Sequence, residues 1–122
     1  MGMQSTDTLA SIISQINDFV NQRDWNQFHT VKNIVASISI EAAELCETIQ
    51  WDNPQTEEVL NDKLLLDDIG QEVADVMIYC LRLCSILQLD PIEIMANKLE
   101  LNALKYPVEK SKGSSAKYTQ LS

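Results

Sequence analysis

Two acidic pairs set in apolar helical segments constrain the fold of this 122-residue chain more than any other feature. Glu41 and Glu44 form the first pair, and Glu72 and Asp75 form the second. Helical residues three apart lie roughly 60° apart around the axis and about 4.5 Å apart along it, so each pair points two carboxylates the same way. If the two helices pack antiparallel through these faces, four carboxylates converge. Such a cluster needs retained protons or a bound cation, and we therefore predict a divalent-metal site.

The spacing of apolar residues predicts four main helical segments. Their expected bounds are about Thr6 to Arg23, Val31 to Trp51, Thr56 to Leu89, and Pro91 to a residue before Pro107. The third segment is long for a globular helix, so we expect a short helix to about Asp62 and a longer one after it. No strand-like alternation with turn punctuation is present. The sequence therefore predicts an all-α fold, an antiparallel bundle of four main helices.

Capping residues support these segments. Thr30 is the expected N-cap of the second helix. Asp90, Pro91 and Glu93 combine a cap, a proline at the first helical position and an acid at the third, which is a strong helix start. Gly70 lies inside the third segment, where glycine costs about 1 kcal/mol relative to alanine, so a close helix approach or a local bend would explain it.

Composition excludes several kinds of partner. The chain has 18 acidic and 9 basic residues and a net charge of −9, which argues against binding to nucleic acid or to an anionic membrane. No apolar run approaches the roughly 18 residues that span a bilayer. Cys46, Cys80 and Cys84 are odd in number and follow no signal peptide, so we expect buried thiols in a reducing cytoplasm.

The available ligands select the metal. The acidic pairs offer only oxygen, and His29 is the only histidine, so the site favours magnesium, with manganese as a substitute. A ferritin-like di-iron centre requires two Glu-x-x-His motifs and does not fit. Magnesium usually keeps several waters and takes its remaining ligands from phosphate, so the expected ligand is a polyphosphate.

Aromatic residues accompany both acidic pairs. On an ideal helix Trp51 lies within roughly 20° of Glu44, and Tyr79 lies within roughly 20° of Glu72. A metal for phosphates and flat aromatic rings for a base together describe a nucleotide pocket. On the fourth helix, Lys98 and Asn102 are four residues apart and aligned. Lys98 is suited to contact phosphate, and Asn102 to read a base edge or a ribose.

A single Glu-x-x-Glu pair is common on solvated helix faces, and aromatic residues are often plain core residues. The combination of two pairs with adjacent aromatics favours a site. Two other functions fit the same residues: a non-catalytic helical module that binds nucleotide or metal for regulation, and a purely structural bundle that assembles through its apolar faces. An enzyme should lose its activity in Glu44→Gln and in Asp75→Asn. Full activity in both variants would contradict the enzyme hypothesis.

The chain resembles the MazG-like all-α nucleoside triphosphate pyrophosphohydrolases, and more specifically their dCTP pyrophosphatase branch. The resemblance covers nearly the whole chain. It rests on Glu41-x-x-Glu44 followed by Glu72-x-x-Asp75, on Arg23 to His29, on Gln50-Trp51, on Asp75-Val76-x-Ile78-Tyr79, on Lys98 to Asn102, on Tyr106-Pro107, and on Lys117-Tyr118-Thr119. The chain departs from the branch at Val31, where proline is common, and at Ile16, where some relatives carry a histidine near the base.

The resemblance implies hydrolysis of a nucleoside triphosphate between the α and β phosphates, for clearance of unwanted nucleotides, with dCTP or related deoxynucleotides as expected substrates. It implies that Glu41, Glu44, Glu72 and Asp75 bind magnesium as the catalytic residues. From the chemistry of the residues, Glu44 or Glu72, whichever is not fully committed to the metal, would accept the proton of the attacking water. It further implies a homodimer or homotetramer with pockets completed across chains.

The substrate contacts implied by the resemblance involve Trp25, Trp51, Tyr79 and Asn102 at the base and sugar, and Lys98 at phosphate. We expect residues 1–107 to form a single catalytic domain. Residues 108–122 are expected to form a tail that is mobile or docks on a neighbouring subunit.

Overall fold

The computed structural model describes residues 8–121, and every regular element among them is helical. The α-helices are α1 Leu9–Gln22, α2 Val31–Glu47, α3 Thr56–Asn61, α4 Lys63–Leu87, α5 Pro91–Lys105 and α6 Val108–Ser111, with 3₁₀ turns at Asn26–Phe28 and Tyr118–Gln120. The predicted all-α fold is confirmed. The predicted start of the first helix at Thr6 lies outside the described residues.

The predicted helix starts are present. The Thr30 hydroxyl accepts a hydrogen bond from the Asn33 backbone N–H at 3.1 Å, and the Asp90 carboxylate accepts two from the first turn of α5. The long third segment divides at Asp62, whose side chain caps α4 by accepting from Leu65 N–H at 3.1 Å. Side-chain oxygens thus satisfy N–H groups that have no helical partner.

The predicted end of the second helix was wrong. We expected α2 to reach Trp51, but it ends at Glu47. The Thr48 backbone N–H donates to the Leu45 carbonyl at 3.2 Å, and its hydroxyl donates to the same oxygen at 2.7 Å. These bonds to the residue three positions back tighten the last turn and stop the helix.

The chain forms two compact units, and the first contains α1 to α4. Within residues 8–88, α1, α2 and α3 each pack against α4. The register of α2 on α4 is antiparallel: Glu41 lies beside Asp75, whereas Thr48, further along, lines a groove with Asp68. This register places the two acidic pairs at the same level of the helix pair.

The first unit buries few apolar side chains completely. Ile16, Val20 and Ile34 are the buried hydrophobic residues among those described. Many large apolar side chains remain exposed instead, including Met77 at 57% on α4. Cys46 and Cys80 are also exposed, which contradicts our expectation of buried thiols. No helix within residues 8–121 combines the length and apolar character needed to cross a membrane.

The second unit contains α5, α6 and the C-terminal 3₁₀ turn. The rings of Tyr106 and Tyr118 meet edge to face with centroids 6.1 Å apart. The Lys105 ammonium lies 5.0 Å from the centroid of the Tyr118 ring. The last described turn of the chain therefore packs on the end of α5.

Candidate active site

Three carboxylates from α2 and α4 converge. One oxygen each of Glu41, Glu72 and Asp75 lie within 4.8 Å of one another. Glu44, one turn after Glu41, is exposed and close enough to raise the pKa of both Glu41 and Glu72. The structure thus brings all four predicted acidic residues into one neighbourhood, with three in the tighter group and Glu44 at its side.

Two carboxyl groups of this cluster, those of Glu41 and Glu72, resist ionisation. Loss of hydration, together with the neighbouring Glu44, Asp75 and Glu72 carboxyls, raises the pKa of Glu41 to about 7. The pKa of Glu72 is raised by loss of hydration and then by Glu44, Asp75 and Asp68. Packed negative charges favour retention of a proton, or binding of a cation in its place.

Two carboxylate oxygen atoms in the cluster are suited to bind a cation. Glu41 Oε2 and Glu72 Oε2 are both inaccessible to solvent and accept no hydrogen bond. A buried carboxylate oxygen without a partner is costly, and a divalent cation would satisfy both oxygens together. The all-oxygen donor set suits a hard cation such as magnesium or manganese.

A cavity of about 420 Å³ lies beside the carboxylate cluster. Such a volume falls in the range of roughly 300–1,000 Å³ typical of small-molecule sites. Its walls come from α1, from the segment between α1 and α2, and from α4, and are mostly apolar. The lining residues are Ile12, Gln15, Ile16, Phe19, Val20, Trp25, His29, Asp75, Ile78, Tyr79 and Arg82.

Two of the predicted aromatic residues line this cavity. Trp25 is 43% exposed and packs edge to face on Phe19, with ring centroids 5.7 Å apart. Tyr79 lies one turn after Asp75 on α4 and is half-buried. Asp75 belongs both to the carboxylate cluster and to the cavity wall, so the two features form one continuous site.

The other three predicted residues are not part of this cavity. Trp51 follows the end of α2 and is 87% exposed, so the ideal-helix angle that paired it with Glu44 does not apply. Lys98 and Asn102 lie one turn apart on α5, in the second unit. Lys98 is exposed, whereas Asn102 is half-buried.

Arg82 is a cavity residue that we did not predict. It is only 8% exposed and donates hydrogen bonds to His29, Asn17 and Asn26. A signal was present in the sequence, because Arg82 is the only charged residue between Asp75 and Asp90. An isolated charge in a long apolar helical segment indicates either a buried polar network or a site.

Comparison with known proteins identifies a family whose model matches most of the chain. Residues 36–121 match the model of the MazG-like family. The chain is 33% identical to rat dCTP pyrophosphatase 1 over 119 residues, covering 93% of this chain and 68% of the relative. The human protein of the same name is 31% identical over 119 residues, which also cover 93% of this chain and 68% of the relative.

A solved structure is also similar. A pyrophosphatase from Archaeoglobus fulgidus DSM 4304 superposes with a TM-score of 0.75 at 36% sequence identity, covering 88% of this chain and 99% of the other. The two chains therefore share the same helical fold.

Proposed function

Because this chain belongs to the MazG-like family and is a nucleoside triphosphate pyrophosphatase, we propose that it converts a deoxynucleoside triphosphate and water to the monophosphate and pyrophosphate with the help of magnesium. The preferred substrate is dCTP or a related or modified deoxynucleotide, as the names of the mammalian relatives suggest. The biological role is removal of unwanted nucleotides.

One observation carries this proposal: Asp75 belongs to both the carboxylate cluster and the aromatic cavity. A nucleotide is a molecule with a polyphosphate at one end and a flat base at the other. Glu41, Glu72 and Asp75 suit the cation that accompanies the phosphates, and Trp25 and Tyr79 suit the base by stacking. Ile16 lies in the same wall and contributes apolar surface to the base side.

The residues divide the chemistry between them. A cation bound by Glu41, Glu72 and Asp75 would neutralise phosphate charge and acidify a water molecule. Glu44 is the acid outside the tighter group, so it is the best candidate to accept the proton of the attacking water, with Glu72 as the alternative. The water oxygen forms a bond to the α-phosphorus, the bond to the bridging oxygen breaks, and pyrophosphate leaves.

The test is pyrophosphate release from a panel of canonical and modified triphosphates. We expect turnover with Mg²⁺, weaker or equal turnover with Mn²⁺, and none with EDTA. Asp75→Asn should lower kcat by at least about 100-fold, because it removes a charge from both halves of the site. Asp67→Asn is the matched control, since Asp67 is an exposed acid on the same helix and its carboxylate accepts a hydrogen bond from the Gln71 side chain. Equal activity of the two variants would contradict the proposal.

Assembly into an oligomer would explain the roles proposed for Trp51, Lys98 and Asn102. We propose a homodimer or homotetramer, because the single chain leaves Leu66, Val73 and Met77 exposed along α4 beside Gly70. Trp51 would then border the base of a site whose carboxylates come from another subunit. We also propose that Lys98 contacts phosphate and that Asn102 contacts the base or the sugar.

The proposed catalytic domain spans residues 1–107 because α5 carries Lys98 and Asn102, and residues 108–122 form the proposed tail. A cytoplasmic location is proposed because the exposed thiols of Cys46 and Cys80 are compatible with a reducing compartment.

A further inference from the structure

Arg82 is a buried cation without an anionic partner. Its side chain is 8% exposed, and burial lowers its pKa. Among residues 8–121, its hydrogen bonds go to neutral side chains only. An uncompensated buried charge is expensive, so a residue that only needed to fill this space would be expected to be apolar.

The three hydrogen bonds join three parts of the cavity wall. From α4, Arg82 Nη1 donates to Asn17 Oδ1 on α1 at 2.7 Å, and Nη2 donates to Asn26 Oδ1. Arg82 Nε donates to His29 Nδ1 at 3.1 Å. Asn26 follows Trp25 directly, so the guanidinium ties the segment that carries Trp25 and His29 to α4. The planar fork of arginine suits this geometry, and a lysine ammonium would not reproduce it.

The hydrogen bond from Arg82 to His29 determines which nitrogen of the imidazole ring carries the hydrogen. Because Nδ1 accepts from Arg82, a neutral ring must carry its hydrogen on Nε2. Loss of hydration and the positive charge of Arg82 both lower the pKa of His29, which keeps the ring neutral at neutral pH. His29 lines the cavity. Because its Nδ1 is bonded to Arg82, Nε2–H is the ring group left to donate to a ligand there.

We propose that Arg82 is a positioning residue that holds His29 as the Nε2–H tautomer and fixes the Trp25–His29 segment, so that His29 donates a hydrogen bond to an acceptor atom on the substrate base. This inference rests on the proposed function, because it requires a base in the cavity. The recognised chemistry is a carbonyl oxygen or unprotonated ring nitrogen on the base edge. Arg82 acts through His29 and Trp25 rather than on the reacting phosphates.

The first test measures the imidazole ring directly. His29 is the only histidine, so ¹⁵N–¹H correlation spectra of the ring contain a single spin system. We expect the neutral Nε2–H tautomer at pH 7.5. We also expect a change in the Nε2 and attached-proton shifts when a non-hydrolysable α,β-imido deoxynucleoside triphosphate is added with Mg²⁺. An Nδ1–H tautomer, an imidazolium, or a ring unaffected by saturating nucleotide would overturn the proposal.

The second test separates binding from chemistry. Arg82→Met should raise KM by about tenfold and change kcat by less than about twofold, because the carboxylate cluster is intact. It should also abolish the single-tautomer spectrum of His29. Lys32→Met is the matched control, because Lys32 is an exposed cation on α2 outside the cavity. It should leave KM and the ring spectrum unchanged.

The outcomes distinguish the two proposals. If the wild-type protein releases no pyrophosphate from any triphosphate, the proposed function is wrong. If the wild-type protein is active and folded Arg82→Met keeps the wild-type KM and ring spectrum, only the role of Arg82 is wrong. Should Arg82→Met fail to fold, the wild-type ring measurement still decides the proposal.

Discussion

Glu41 shows how one side chain can couple stability to ligand binding. Its pKa in the folded chain is raised to about 7 by loss of hydration and by the surrounding carboxyls, compared with 4.5 ordinarily. Its Oε2 atom is buried without a hydrogen-bond partner. In the absence of metal, the folded state therefore holds a proton on Glu41 more tightly than the unfolded state does.

This difference predicts how stability depends on pH. A group whose folded pKa is raised contributes stability that is fully present below the unfolded value and is lost as pH rises through the folded value. In EDTA, Glu41 should therefore contribute full stability below pH 4.5 and lose that contribution by about pH 7. Between pH 4.5 and pH 7, the Tm of the wild-type protein should fall more steeply with rising pH than the Tm of Glu41→Gln, because glutamine cannot ionise.

The comparison of the two proteins reports the ionisation of Glu41 together with that of the carboxyls that interact with it, since the distant titrating groups are common to both. Glu100→Gln, an exposed acid on α5, is the matched control and should retain the wild-type pH dependence. Adding Mg²⁺ at pH 7.5 should raise the Tm of the wild-type protein, because a cation that binds only the folded state stabilises it. An identical pH slope in wild type and Glu41→Gln would contradict this account.

At the scale of the elements, α4 carries the most functions. It contributes Glu72 and Asp75 to the cluster, and Tyr79 and Arg82 to the cavity. Its other side exposes Leu66, Val73 and Met77, and Gly70 lies among them. A Cβ built on Gly70 would meet nothing within 4 Å. The close helix approach that we considered for Gly70 therefore does not occur among the described residues of a single chain.

The open space at Gly70 predicts opposite effects of small and large substitutions. Gly70→Ala should stabilise α4 by about 0.5–1 kcal/mol through helix propensity alone, measured by chemical denaturation at low protein concentration. Gly70→Arg should weaken the proposed assembly, because it places a bulky charge on the exposed apolar face. Analytical ultracentrifugation should then detect smaller species. An unchanged oligomeric state in Gly70→Arg would exclude this face of α4 from the interface.

At the scale of the whole molecule, Trp51 makes the proposed assembly testable. Its 87% exposed ring lies outside the cavity of its own unit, so its proposed contact with a base requires another subunit. Trp51→Ala should raise KM severalfold, because stacking on an aromatic ring contributes about 1–3 kcal/mol per base. Saturation kinetics with dCTP would measure this change.

Mixed oligomers provide a sharper measurement. A chain with Glu72→Gln should have an inactive carboxylate cluster, but it can still provide Trp51 to the site of a neighbouring subunit. When refolded together with Trp51→Ala, it should form sites that combine an intact cluster from one chain with Trp51 from the other. At low substrate concentration, activity should exceed the sum of the separate variants and approach about a quarter of wild type for a two-fold dimer. Activity equal to that sum would place Trp51 outside the neighbouring site.

Local physical rules made much of the fold predictable. The apolar periodicity, the caps at Thr30 and Asp90, and the division at Asp62 each depend on residues within a few positions of one another, and the structure contains all of them. The end of α2 was mispredicted, because Thr48 bonds the Leu45 carbonyl and the helix ends at Glu47 instead of Trp51. Competing local bonds of this kind are hard to rank from sequence alone.

The sequence by itself determined the all-α fold and the two acidic pairs, because helical periodicity and three-residue spacing are local properties of the chain. Only the tertiary structure decided that Glu41, Glu72 and Asp75 form the tighter group, that Trp25 and Tyr79 share a cavity with Asp75, and that Trp51 does not. The same holds for Arg82, whose partners Asn17 and His29 lie 65 and 53 positions away in the chain. These arrangements depend on which faces of distant helices pack together, and on where each helix ends.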